Sequence, residues 1–317
     1  MSILFYALGI LAMLLALLAL FSHRTSRRID TFMPPAGRFV EVEGVRLHVR
    51  DEGSGPALVL IHGLGGQMGH FNYGAVRALS ERYRVVAVDR PGSGHSTRPD
   101  GVPADLSTQA RAIAALVRQL GLVRPTVVGH SLGGATALTL ALEHPEQVGA
   151  LALVAPLTHA PEAVPAAFRA LTIERRWLRR LFAATLALPL GIVGSKGVLR
   201  QVFSPESVPP DFATRGGGLL GLRPSQFLAS SADLQALAGH MAGLERRYGE
   251  LRLPVRVLFG RQDGILDWRA NGQALVDKIP GAFLELVEGG HMLPITQPER
   301  TARFIEDAAA APLARAG

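Results

Sequence analysis

Hydrophobic positions fall into three regimes along the chain. The first is an uninterrupted apolar or small stretch, Ile3 to Phe21, Leu-rich and free of charge. It approaches the ~20 residues that span a bilayer core and predicts a membrane helix. The second is a series of short runs, Ala57 to Ile61, Arg84 to Val88, Pro125 to Val128 and Ala150 to Val154, resuming at Val255 to Phe259 and Phe283 to Val287. Such runs predict strands buried on both faces, as in a parallel sheet with helices on either side. The third regime lies between them and reads as helical: Arg175 to Phe182, breakers at Pro189, Gly191 and Gly194, Gly216-Gly217-Gly218, then a helical pattern from Ser225 to Tyr248.

The pattern divides the chain into an anchor (3–22), a linker (23–37) holding Pro34-Pro35, an α/β core (38–155 and 251–310), a helical insertion (156–250) and a tail (311–317). A cleaved signal peptide is the alternative to the anchor, but no Lys or Arg precedes the run and Leu20-Phe21-Ser22-His23-Arg24 is a poor cleavage site. Arg24, Arg27, Arg28 and Arg38 follow the helix, so the positive-inside rule places the following domain in the cytoplasm. The formal net charge is +7, yet only Lys196 and Lys278 are lysines and no nucleic-acid motif occurs. The basic balance therefore reflects arginine-rich composition, and no nucleic-acid partner is expected. Absence of cysteine excludes disulfides.

Chemistry concentrates in Gly129-His130-Ser131-Leu132-Gly133, which follows one predicted strand and precedes the Ala- and Leu-rich helix Ala135 to Leu142. A serine between glycines at a strand-to-helix turn is a nucleophile elbow, and its hydroxyl needs a base and an orienting carboxylate. Asp263 lies just past the strand Val255 to Phe259, and His291 just past Phe283 to Val287. Loops at the carboxyl ends of parallel strands converge on one face, so these three can meet. Asp267 is the rival acid, but its offset from the strand end fits less well.

Two further signatures complete the set: His62-Gly63-Leu64-Gly65-Gly66 and Asp89-Arg90-Pro91-Gly92-Ser93-Gly94-His95-Ser96, each after a predicted strand. Together the four resemble the α/β-hydrolase superfamily over roughly residues 38 to 310. The resemblance implies an α/β-hydrolase fold, a mostly parallel sheet flanked by helices with a helical cap. It makes Ser131 the nucleophile, His291 the general base and Asp263 its partner, with the Leu64 and Leu132 backbone amides as oxyanion hole. His130 is expected to be packed or hydrogen-bonded, and His62 to shape the oxyanion loop. The remaining histidines show no metal-ligand spacing, and neither metal nor cofactor is expected.

A serine at the elbow, where epoxide hydrolases and haloalkane dehalogenases of this superfamily use aspartate, implies acyl transfer to water. The expected function is a membrane-anchored serine ester hydrolase acting on a small-molecule or lipid ester. In its organisation the chain is similar to monoacylglycerol lipases that carry an amino-terminal membrane helix. A carbon-carbon bond hydrolase, a cofactor-free perhydrolase or haloperoxidase, and a non-catalytic ligand-binding protein are the alternatives. In the insertion, Trp177, Leu178, Leu181 and Phe182 alternate with Arg175, Arg176, Arg179 and Arg180, a pairing suited either to a membrane surface or to a plain second layer of helices.

Overall fold

The computed structural model describes residues 2–310; the expected tail 311–317 lies outside them. One eight-stranded sheet organises the core, in the order β1-β2-β4-β3-β5-β6-β7-β8. The predicted runs form β3 (Ala57–Ile61), β4 (Arg84–Val88), β5 (Thr126–His130), β6 (Ala150–Val154), β7 (Val255–Gly260) and β8 (Phe283–Val287), all paired in parallel. An antiparallel pair, β1 (Arg38–Val42) and β2 (Val45–Glu52), extends the sheet beside β4.

The central strands are apolar on both faces because each face is covered. In β3, Val59 and Ile61 join one core cluster with α3 (Leu106–Gln119) and α4 (Leu132–Glu143). Leu58 and Leu60 point the other way, into a cluster with α2 (Ala75–Ser80) and α11 (Pro298–Ala309). The insertion supplies α5 (Arg176–Phe182), α6 (Leu188–Phe203), α7 (Pro224–Leu237) and α8 (Met241–Arg247). Short helices α9 (Ala274–Val276) and α10 (Leu293–Thr296) flank β8.

Two expectations are corrected. The segment 23–37 is not a linker throughout: helix α1 runs without interruption over Ser2–Phe32 and stops only before Pro34. Residues 22–32 contain neither Gly nor Pro, and their helix is seated on the insertion. Ser22 Oγ donates to the Thr185 carbonyl at 3.1 Å, Ile29 is buried, and Asp30 pairs with Arg223 at 2.8 Å. The breakers at Pro189, Gly191 and Gly194 do not break the helix either. A π turn, Ala183–Ala187, joins α5 to α6 directly ahead of Pro189, so the run stays helical through it.

Candidate active site

Ser131 sits between β5 and α4 with φ 54° and ψ −122°. A non-glycine residue with positive φ stores strain of about 1–3 kcal/mol, which the surroundings must hold. Here Ser131 N donates to Val154 O at 3.1 Å, and its carbonyl accepts from Gly134 N at 2.8 Å and Leu157 N at 2.9 Å. The flanking glycines are steric necessities. A Cβ on Gly129 would lie 2.5 Å from the Gly133 carbonyl oxygen, and one on Gly133 would collide with the carbonyl oxygen of Ile61.

The loops after β7 and β8 bring Asp263 and His291 together. His291 Nδ1 lies 2.7 Å from Asp263 Oδ2, with both side chains buried. Asp263 Oδ1 accepts from the amides of Ile265 at 2.8 Å and Leu266 at 2.9 Å, so the carboxylate is held from both sides. Nδ1–H donates to the carboxylate, which leaves Nε2 as the basic nitrogen. Asp267 is elsewhere: it accepts from the amides of Arg269 at 2.8 Å and Ala270 at 2.9 Å and is exposed. Close contact between the two loops requires Gly260, whose Cβ would strike the Gly289 and Gly290 carbonyl oxygens. From the cap, Glu206 accepts the Gly290 amide at 3.1 Å. Sequence reasoning missed Glu206, since nothing in its local pattern ties it to a loop more than eighty residues away.

The loop after β3 packs directly on the serine. A Cβ on Gly63 would stand 2.8 Å from Ser131 Cβ and 3.3 Å from its Oγ. Neither the Leu64 nor the Leu132 amide donates to an acceptor among the described residues. His62 shapes this loop: its Nε2 accepts from Arg90 N at 2.9 Å and its Nδ1 donates to Gly63 O at 2.8 Å. Burial, aided by the Arg90 charge, lowers the His62 pKa to about 3, so the ring is neutral. His130 is hydrogen-bonded, its Nε2 3.0 Å from the carbonyl oxygen of His291. His70, in a short 3-10 turn and singled out by no sequence signal, also borders the site, and burial lowers its pKa to about 4.

Ser131, His291, His130 and His70 open on one cavity of about 700 Å³ roofed by the insertion. Phe168, Phe182, Phe203, Phe212 and Phe227 contribute an aromatic wall. No Asp, Glu, Lys or Arg is among its lining residues. The site thus unites a strained serine, an imidazole hydrogen-bonded to a buried carboxylate, and an apolar chamber without charged lining residues.

That combination defines a hydrolase of the α/β type, and the sequence profile of the alpha/beta hydrolase fold matches residues 56–298. The chain belongs to that family. It is 32% identical over 294 residues to an uncharacterised protein of Mycobacterium tuberculosis, covering 89% of this chain and 83% of that one. It is 30% identical to 2-hydroxymuconate semialdehyde hydrolase of Pseudomonas putida, over 86% of this chain and 94% of that one. Among solved structures it is similar to a membrane phospholipase A described as a bacterial virulence factor, with a TM-score of 0.71 and 27% identity over 98% of this chain and 97% of that one.

Proposed function

We propose that the protein is a membrane-anchored serine ester hydrolase whose substrate is an uncharged, apolar acyl ester, a lipid ester above all. Ser131 is the nucleophile, His291 the base and then the acid, and Asp263 the group that holds the imidazole. The Leu64 and Leu132 amides receive the oxyanion. His291 Nε2 takes the proton as Ser131 Oγ attacks the ester carbonyl, and returns it to the departing alcohol. Water then attacks the acyl-enzyme by the same route and releases the acid. The observation that carries this reading is the 2.7 Å His291–Asp263 pair beside the positive-φ serine in a cavity free of charged side chains.

Membrane attachment rests on α1 and on what it touches. At about 1.5 Å per residue the helix is longer than a bilayer core of about 30 Å, so its first ~20 residues suffice to span it. The contact of Ser22 with Thr185 then sets the cap at the bilayer surface. There the cap exposes Trp177, Leu181, Leu190, Ile192 and Val193 among arginines, while other α6 residues, Leu199 and Val202, line the cavity. One helix thus serves lipid and substrate, which supports entry of an acyl ester from the membrane. The arginines after the span support a cytoplasmic catalytic domain; a reporter fused to the carboxyl terminus that is active only outside the cytoplasm contradicts that orientation.

Likeness to the Pseudomonas putida enzyme favours carbon-carbon bond hydrolysis as the second reading. A muconate semialdehyde carries a carboxylate, however, and this cavity offers it no cation. Labelling by a fluorophosphonate, followed by a series of acyl esters of increasing chain length, tests the first reading. Labelling that survives Ser131→Ala, or turnover of ring-cleavage acids but of no ester, overturns it.

A further inference from the structure

Among the described residues Arg90 is the largest fully buried side chain, and every group it holds belongs to the loop after β3, the core or the cap. Its Nε donates to His62 O at 3.0 Å and its Nη2 to Gly63 O at 3.1 Å. Its Nη1 donates to Gln109 Oε1 on α3 at 2.7 Å and to Asp233 Oδ2 on the cap helix α7 at 2.8 Å. Asp233 is itself fully buried, and its other oxygen accepts from Arg98 at 2.6 Å. Two guanidinium groups and one carboxylate therefore meet out of water at the junction of cap and core.

The Gly63 carbonyl has a particular importance. It accepts from Arg90, from His62 Nδ1 at 2.8 Å and from Gly66 N at 3.3 Å. That carbonyl and the Leu64 N–H belong to one planar peptide unit and point in opposite directions, so fixing the first aims the second. A buried cation also keeps its place only while its counter-charge is present. Asp233, the sole carboxylate on Arg90 among the described residues, is carried by the cap.

We propose that Arg90 and Asp233 are positioning residues forming a latch, through which the seated cap aims the Leu64 amide at the reacting carbonyl. This rests on the ester-hydrolase reading above. When the cap is displaced, Arg90 loses its counter-ion, the Gly63–Leu64 peptide is released, and the oxyanion hole is incomplete. Substrate binding in the apolar chamber and formation of the oxyanion hole are thereby coupled.

The test uses the full-length chain in detergent with Asp233→Asn, which keeps shape and removes charge. The expected result is a fall in kcat of about 10- to 100-fold, short of the full loss of an oxyanion donor, with KM within about threefold. Affinity for an acyl trifluoromethyl ketone, which forms a tetrahedral adduct with the serine, falls with kcat; affinity for the matching methyl ketone does not. A merely structural role would move both. Should Asp233→Asn fail to fold, Arg90→Met and Arg98→Met with Asp233→Leu replace the whole charged cluster by apolar side chains, and this variant is expected to fold yet show the same loss of kcat. Amide hydrogen exchange over residues 64–66 is expected to quicken in either variant, a readout independent of turnover. Unchanged kcat in a folded variant, equal loss of affinity for both ketones, or unchanged exchange overturns the latch. A wild-type chain that hydrolyses no ester and takes no fluorophosphonate overturns the ester reading instead, and the exchange measurement still decides the latch.

Discussion

Asp30, in the last turn of the long amino-terminal helix, pairs at 2.8 Å with Arg223 of the cap, whose side chain is only 7% exposed. Arg223 also donates to the Gly94 carbonyl, so helix, cap and core meet at one side chain. Arg223→Ala is expected to lower stability by about 3 kcal/mol, because a buried network loses its centre. Asp30→Ala removes a half-exposed carboxylate but leaves the nearly buried Arg223 without its counter-charge, and is expected to cost about 2 kcal/mol. Thermal unfolding in detergent checks both, and equal effects of the two substitutions would refute this ranking.

Asp263→Asn is expected to reduce kcat by about 10⁴-fold, since an amide at that position stabilises the wrong tautomer of His291. Asp267→Asn is expected to stay within about twofold of wild type, its carboxylate being engaged with Arg269 and Ala270 amides. Steady-state kinetics on a chromogenic acyl ester separate them, and a large effect at Asp267 would reverse the assignment.

Acid should destabilise the protein well above the carboxylate range. His62 titrates at about 3 and His70 at about 4, against 6.5 for an unhindered imidazole, and burial pushes His130 in the same direction. All three are neutral in the fold, whereas the unfolded chain takes up a proton on each near pH 6.5. Their stability is complete above that pH and is lost as pH falls toward 4, at about 1.4 kcal/mol per unit for each histidine. Denaturation midpoints at pH 7.5, 6 and 5 measure the slope, which should be shallower in His70→Phe. A flat profile over that range contradicts it.

Anionic vesicles should shift the emission of Trp177 to the blue, because its ring is exposed beside Arg176 and Arg180. Measured on a Trp268→Phe background lacking residues 1–21, which leaves Trp177 as the one tryptophan, the shift is expected to vanish in high salt and when Arg176 and Arg180 are both replaced by Glu. No shift with anionic lipid would remove the cap from the membrane.

Much of the core was legible because a strand buried on both faces leaves a short apolar run, and six such runs became six parallel strands. The edge pair β1 and β2 was not singled out: Arg38, Glu41, Arg46, His48, Arg50 and Asp51 interrupt it, as suits strands outside the parallel core. The elbow was legible because Gly129 and Gly133 answer to backbone contact, a demand that only glycine meets. Residues 22–32 escaped for the opposite reason, since a polar stretch declares no helix until Ser22, Ile29 and Asp30 find the cap.

By itself the chain pointed to the family, to six core strands in sequence, and to Ser131, Asp263 and His291 as residues at the carboxyl ends of three of them. Those depend on residue type at short range: glycine where no side chain fits, apolar runs where no water reaches. Only the tertiary structure decided what the insertion does. Asp233, Glu206 and Arg223 look like ordinary surface charges in one dimension. They become partners of Arg90, Gly290 and Asp30 because folding buries Asp233 and Arg223 and brings the half-buried Glu206 onto an inward loop, and a buried charge or amide must then find its complement.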